Sequence, residues 1–398
     1  MQTSVSIRHN RSCTPDWIDF LIRYICGNSI CFMMFRSIFL LLLMLASAET
    51  LVGQPSPGEF TIIAYYSAGP EQVENIPAEK LTHIIYSFCH LNGNKLTIDN
   101  AKDSVTIRKL VGLKKINPSL KVMLSLGGWG GCKPCSGVFS THDARAEFAQ
   151  STLQLSQSMG TDGLDLDWEY PTIEGYPEHP YKPEDKANFT ALVRQLRETM
   201  GDGYELSFAA GGFQKFLEES VDWDSVMMYV DRVNIMSYDL VNGYATVTGH
   251  HTPLYSNKTQ SESTDNAVQY LLKKGISAGK MVIGAAFYGR VWENVPDKSN
   301  GLYQSGKFKR GVDYKNFETG LAGFEFYWDK RSQARYGYNP VAKEFVTFDD
   351  KLSVTNKTQY VIGHHLGGIM FWELSLDKPE GGLLDAIYEV KAQHLKRK

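Results

Sequence analysis

The sequence predicts an α/β protein: a (β/α)8 barrel of the TIM type carrying an α+β subdomain inserted after its seventh strand. Two observations predict it. Short apolar runs rich in β-branched residues recur eight times and alternate with segments of helical periodicity, the pattern of a parallel sheet wrapped by helices. A single interval of about seventy residues, from 291 to 359, replaces one expected helix with alternating aromatic runs and turn-forming glycines.

Taken in order, the chain first reaches Met33-Met34-Phe35-Arg36-Ser37, then the apolar run Ile38 to Leu45, then Ala46-Ser47-Ala48. A basic residue, an apolar core and small residues before a cleavage point have the grammar of a signal peptide, so cleavage is expected near Ala48 and the mature protein is expected to be secreted, outside the cell or into a periplasm. The run is too short to span a bilayer, and no cysteine follows to take a lipid anchor. Residues 1–32 are polar and interrupted by Asp16, Asp19 and Arg23. Translation is therefore expected to start at Met33 or Met34, and residues 1–48 are set aside as an N-terminal extension and signal peptide.

Strands are expected at Phe60 to Tyr66, Thr82 to Phe88, Lys121 to Gly127, Gly163 to Trp168, Tyr204 to Ala210, Arg232 to Tyr238, Lys280 to Tyr288 and Gly367 to Trp372. Helices are expected at Ser104 to Ile116, Asp143 to Met159, Glu184 to Met200, Asp265 to Lys274 and Gly382 to Gln393. The catalytic barrel then occupies 58–290 and 360–395. The insertion, 291–359, contains Phe324-Glu325-Phe326-Tyr327-Trp328 and Glu344-Phe345-Val346-Thr347-Phe348. Loops after barrel strands build the functional face, so the insertion should wall one side of a cleft.

Lys and Arg number 41 against 44 Asp and Glu, a formal charge of −3, so nothing draws this chain to nucleic acid or to an anionic membrane surface. An uncharged partner suits these numbers. Beyond the leader stand Cys89, Cys132 and Cys135, too few for a disulfide framework. The Cys132-Lys133-Pro134-Cys135 pair fits a redox motif, half a zinc site or a local disulfide. Export to an oxidising compartment favours the disulfide, and the pair is not expected to open a helix as a thioredoxin-type motif does. No second cysteine pair exists to complete a zinc site.

The chemistry concentrates in Asp162-Gly163-Leu164-Asp165-Leu166-Asp167-Trp168-Glu169-Tyr170-Pro171. Asp165, Asp167 and Glu169 alternate along an otherwise buried strand, so they share one face while Leu166 and Trp168 take the other. Crowded like charges oppose one another's ionisation, and at least one acid should keep its proton near neutral pH. A protonated carboxyl beside ionised ones is the raw material of glycoside hydrolysis. Glu169, last in the series, should lie nearest the C-terminal mouth of the barrel, and Asp165 deepest.

These residues resemble the DxxDxDxE signature of glycoside hydrolase family 18, the chitinases, at every defining position. In the same order, Ser125-Leu126-Gly127-Gly128-Trp129 is similar to the family's third-strand segment and Met236-Ser237-Tyr238-Asp239 to its sixth-strand motif. Phe287-Tyr288-Gly289-Arg290 and Gly368-Ile369-Met370-Phe371-Trp372 resemble the ends of strands seven and eight, and 291–359 resembles the insertion domain of one branch. The resemblance covers about residues 60–390. It implies retaining, substrate-assisted hydrolysis of β-1,4-linked N-acetylglucosamine, an exception to the two-carboxylate scheme. By the same resemblance Glu169 is the acid/base, Asp167 orients the substrate's acetamido group, Asp165 tunes Asp167, and Tyr238 donates its hydroxyl to the acetamido oxygen. Met236 and Asp239 line that pocket, and Trp372 forms the floor beneath the sugar.

Other residues stay open. Tyr65, Phe88 and Trp129 sit at strand ends, where core packing and sugar contact are both plausible. Arg290 could meet sugar hydroxyls or pair with an acid across the mouth, and Trp292 and Trp328 could stack on outer sugars or pack internally. His364-His365 invites a metal, but adjacent histidines on a helix point apart and no carboxylate is spaced to join them, so no metal and no cofactor are expected. Asn188-Phe189-Thr190, Asn257-Lys258-Thr259 and Asn356-Lys357-Thr358 are glycosylation sequons.

The expected function is that of a secreted chitinase, a monomer acting on chitin or N-acetylglucosamine oligosaccharides, with no nucleic-acid partner and no stable membrane span in the mature protein. An endo-β-N-acetylglucosaminidase or a cell-wall glycan hydrolase is the alternative within the family, though the insertion counts against both. A chitin-binding lectin that lost catalysis is the alternative outside enzymes, and the intact acid series counts against it.

Overall fold

The computed structural model describes residues 60–397; the leader and the cleavage expected near Ala48 lie outside the described residues. Eight parallel strands close on themselves: β1 (Thr61–Tyr66), β2 (His83–Asn92), β4 (Lys121–Gly127), β5 (Gly163–Asp167), β6 (Glu205–Gly211), β7 (Arg232–Met236), β8 (Met281–Ala286) and β14 (Gly368–Trp372). Pairing of β1 with both β2 and β14 completes the circle. A short β3 (Lys95–Thr97) extends the end of β2 as an antiparallel hairpin. Because helices cover the outside and side chains fill the inside, these strands are apolar on both faces. Ile63, Tyr65, Ile85, Met123, Ala209, Met236, Val282 and Met370 form the inner layer.

Among the described residues six helices run to ten or more residues: α1 (Ala101–Gly112), α2 (His142–Met159), α3 (Asp185–Met200), α4 (Thr264–Lys273), α5 (Lys351–Gly363) and α6 (Leu383–Lys396). In α3, Phe189, Leu192, Val193, Leu196 and Met200 recur at helical spacing and are buried. α1 begins before the expected Ser104 because the Asn100 side chain accepts from the Asp103 amide and caps it there.

A separate five-stranded antiparallel sheet follows β8, in the order β10 (Lys307–Asp313), β9 (Tyr288–Glu293), β13 (Glu344–Phe348), β12 (Ala334–Asn339) and β11 (Glu325–Asp329). It begins at Tyr288, inside the seventh expected strand, because a break at Phe287 separates β8 from β9. Expected as part of the 291–359 insertion, the first residues of α5 instead belong to a helix packed on β8 and β14. Trp292 is fully buried and donates its indole N–H to the Ala245 carbonyl at 3.0 Å, so it packs inside this sheet's own core. Trp328 lies under the Arg335 guanidinium. Neither faces the cleft. The two histidines at 364 and 365 fall just beyond the end of α5.

Cys132 and Cys135 are joined by a disulfide, and Cys89 is free and buried. Contrary to expectation, the second cysteine does open a helix, the single turn Cys135–Val138. Among the described residues no helix is long and apolar enough to cross a membrane.

Candidate active site

β5 runs beside β4 and β6 in a register that sets Asp165 opposite Ser125 and Ser207. The fully buried carboxylate accepts four hydrogen bonds: Tyr65 Oη and Ser125 Oγ at 3.0 Å on Oδ2, Ser207 Oγ at 2.6 Å and Asn234 Nδ2 at 3.0 Å on Oδ1. Burial raises the Asp165 carboxyl and these donors pull against it, leaving it raised.

Two residues on, Asp167 is also buried but its Oδ1 has no hydrogen-bond partner. Burial, then the charges of Glu169 and Asp165, push its carboxyl well up. β5 ends at Asp167, and Glu169 stands one alternation further, past the strand end at the barrel mouth. Burial raises Glu169 to about 7; the Tyr170 hydroxyl opposes the rise and the Asp239 charge adds to it. Asp167 and Glu169 are thus both raised, and the charge of Glu169 is one cause of the rise at Asp167. The approach of β4 depends on Gly127, at φ +109°: a Cβ there would lie 2.2 Å from the Asp167 carbonyl oxygen.

Tyr238 and Asp239 form the turn after β7. The Tyr238 hydroxyl meets the Met370 sulfur at 3.8 Å, a weak acceptor. Arg290, from β9, donates to both Asp239 oxygens through Nε and Nη2, and His251 Nδ1 lies 3.4 Å away. Burial alone would raise the Asp239 carboxyl, but Arg290 and His251 hold it well below the usual carboxylate range. Arg290 thus pairs with an acid, one of the two options open to it, and also lines the cleft. Trp372, at the end of β14, stacks on Phe88 with centroids 5.5 Å apart and planes 15° apart, and Tyr65 packs at an angle beside it. Trp129, 46% exposed, stands at the rim against Tyr170, Tyr176 and Tyr244.

One cleft of about 1280 Å³ brings these groups together. Glu169, Asp167, Tyr238, Met236, Asp239, Arg290, Tyr65, Phe88, Trp129 and Trp372 all line it, while Asp165 lies beneath its floor. The five-stranded sheet contributes Tyr288, Arg290 and Phe308 to the wall. Several contributors escaped the sequence reading. Ser207 and Asn234 each interrupt an apolar strand run with a polar residue, a signal that could have marked them; Tyr170 and Tyr288 carry no such signal, since aromatic residues are equally at home in a core.

An acid held near neutral pH at the C-terminal mouth of an eight-stranded barrel, above a long aromatic-walled groove, defines a glycoside hydrolase class of site. The chain belongs to glycosyl hydrolases family 18, whose sequence model matches residues 61–377. Chitinase A1 of Niallia circulans is 33% identical over 299 residues, which is 68% of this chain and 43% of that protein. The oviduct-specific glycoprotein of Mus musculus is 30% identical over 369 residues, 85% of this chain and 50% of that one. The chain thus spans about half the length of these curated relatives or less. Among solved structures, a glycoside hydrolase family 18 N-acetylglucosaminidase from Paenibacillus barengoltzii superposes with a TM-score of 0.76 at 34% identity, over 83% of this chain and all of that one.

Proposed function

We propose that this protein is a secreted chitinase that hydrolyses β-1,4-linked N-acetylglucosamine with retention of configuration. The observation that carries the reading is the Asp167–Glu169 pair: one buried carboxylate with a free oxygen beside an acid raised to about 7. Glu169 gives its proton to the glycosidic oxygen as the bond from that oxygen to the anomeric carbon breaks. The substrate's own acetamido oxygen attacks the anomeric carbon and closes an oxazolinium ring. Asp167 accepts the acetamido N–H on its free Oδ1 and offsets the positive charge. Tyr238, whose hydroxyl lacks a strong acceptor, donates to the acetamido oxygen. Water then opens the ring at the anomeric carbon from the face the leaving group occupied, and the Glu169 carboxylate takes its proton. Asp165, saturated by four donors, tunes the charge of Asp167. Trp372 offers its indole face to the sugar, and Met236 and Asp239 shape the acetamido pocket. Secretion rests on the leader-like segment before Ala48.

Incubation with N-acetylglucosamine oligomers, with the first-formed anomer read by NMR, tests the proposal. β-Anomer at the new reducing end is expected. α-Anomer overturns the mechanism, and tight binding without cleavage turns the reading toward a lectin.

A further inference from the structure

Behind the catalytic turn lies a buried charged pair that the chemistry above does not use. Lys357, on α5, is fully buried and donates to Asp349 Oδ2 at 2.6 Å; Asp349 is fully buried as well. Such a pair is a weak source of stability, because desolvating two charges cancels most of their attraction. Its hydrogen bonds therefore matter more than its charge. Asp349 Oδ2 also accepts the Ala286 amide at the end of β8, 2.9 Å away, and Oδ1 accepts from Ser353 Oγ. Lys357 Nζ further donates to Thr252 Oγ1, and that hydroxyl has two acceptors within reach, the Ser237 carbonyl at 3.0 Å and Asp349 Oδ2 at 3.3 Å, of which the Ser237 carbonyl is the nearer. That carbonyl belongs to the Ser237–Tyr238 peptide.

The same peptide is fixed from the other side. Ser237 Oγ donates to the Gly284 carbonyl and accepts the Gly284 amide, at 3.1 and 3.0 Å. The Tyr238 ring lies directly on Gly284, where a Cβ would come within 2.8 Å of Tyr238 Cε1. Tyr238 has no strong hydrogen bond at its hydroxyl end, so its aim is set by its backbone and by this contact.

We propose that Thr252, held by the buried Lys357–Asp349 pair, is a positioning residue for Tyr238. The inference rests on the reading that the Tyr238 hydroxyl meets the substrate's acetamido group. A tyrosine that is free at its tip needs a fixed root, and displacement of about 1 Å is enough to cost substantial rate. Thr252 fixes the peptide orientation while Lys357 and Asp349 fix Thr252. Since the neighbouring His251 donates its amide to Thr347 Oγ1 on β13, the fixture is anchored in the five-stranded sheet as well as in the barrel.

The test compares Thr252→Val, Thr252→Ser, Tyr238→Phe and the Thr252→Val/Tyr238→Phe double variant, measuring kcat, KM and Tm on N-acetylglucosamine oligomers. Thr252→Val should lower kcat about tenfold, the worth of one aimed hydrogen bond, with KM within about twofold. Thr252→Ser should restore it. In the Tyr238→Phe background Thr252→Val should change kcat by less than about twofold, because the hydroxyl it aims is gone. Should Thr252→Val fail to fold, Thr252→Ala removes the hydroxyl without setting a methyl group against Lys357. Wild-type kcat in Thr252→Val or Thr252→Ala, or a loss that simply adds to that of Tyr238→Phe, overturns the positioning role while leaving the site reading intact. Wild-type kcat in Tyr238→Phe overturns the site reading, and the positioning role with it.

Discussion

Tyr65 donates its hydroxyl to Asp165 Oδ2 at 3.0 Å across a hundred residues of sequence, joining the first barrel strand to the acid series on the fifth strand in sequence order, β5. It is one of four donors on that carboxylate, and it pulls the Asp165 carboxyl down against burial. Tyr65→Phe should raise Asp165 further and so weaken the charge it presents to Asp167. The expected loss in kcat is about tenfold with a destabilisation of about 1 kcal/mol, read from steady-state kinetics and thermal melts. An unchanged pH–rate profile and rate would show that this bond does not reach the chemistry.

Glu169→Gln should fold and lose about 10²- to 10⁴-fold in turnover, the range of a general acid/base. Its stability should also change with a defined sign. Burial holds the wild-type carboxyl at about 7 against an ordinary value of 4.5. Native protein therefore carries a penalty for the ionised form that is absent below 4.5, grows as pH rises and is complete above about 7. Neutral Gln removes it, so Tm should rise by about 3–4 °C at pH 8 and stay level at pH 4. Calorimetry at the two pH values checks this, and equal shifts at both would refute the assigned titration.

At the opposite, N-terminal end of the barrel, Arg232 donates to His83 Nε2 at 2.6 Å and to Glu205 at 2.8 Å. Burial, then the Arg232 charge, lowers His83 to about 4. Burial raises Glu205, but its contacts with His83 and Arg232 outweigh this and hold it at about 2. Above about pH 4 His83 is neutral and Arg232 is the charged partner of Glu205; below it protonated His83 joins Arg232 in holding the carboxylate. Unfolded chains bind more protons than native ones between about pH 6.5 and 2, so stability should fall on acidification across that window. The Glu205 share is of the order of 3 kcal/mol, or roughly 4 °C in Tm for a domain of this size. Glu205→Gln should flatten the fall below pH 4.5; a melt series retaining the full slope would count against the assignment.

Trp372→Ala should lower kcat/KM by roughly 10- to 100-fold through loss of the stacking face. Since Trp372 also stacks on Phe88, a modest drop in Tm is expected alongside. A variant that melts earlier yet keeps its kcat/KM would reduce Trp372 to a packing residue.

The acid series was legible because alternation along a strand is strictly local: Asp165, Asp167 and Glu169 had to share a face whatever surrounded them. Ser207 and Asn234 were harder to read because their value lies in strand register, which pairs residues 42 and 69 positions from Asp165. Trp292 looked as ready to stack on a sugar as to pack, and only the antiparallel sheet decided that it is core. The boundary of the inserted sheet shifted for a similar reason. Phe287 breaks the run between β8 and β9, and an apolar sequence does not show where a chain changes sheets.

By itself, the sequence determined the barrel alternation, the shared face of the three acids and the place of the insertion, since each follows from periodicity within a few consecutive residues. Tertiary structure alone decided the charge state of those acids, the Arg290–Asp239 pairing, and the buried Lys357–Asp349–Thr252 fixture behind Tyr238. Dielectric, distance and hydrogen-bond partners are properties of packed neighbours, and those neighbours lie far apart along the chain.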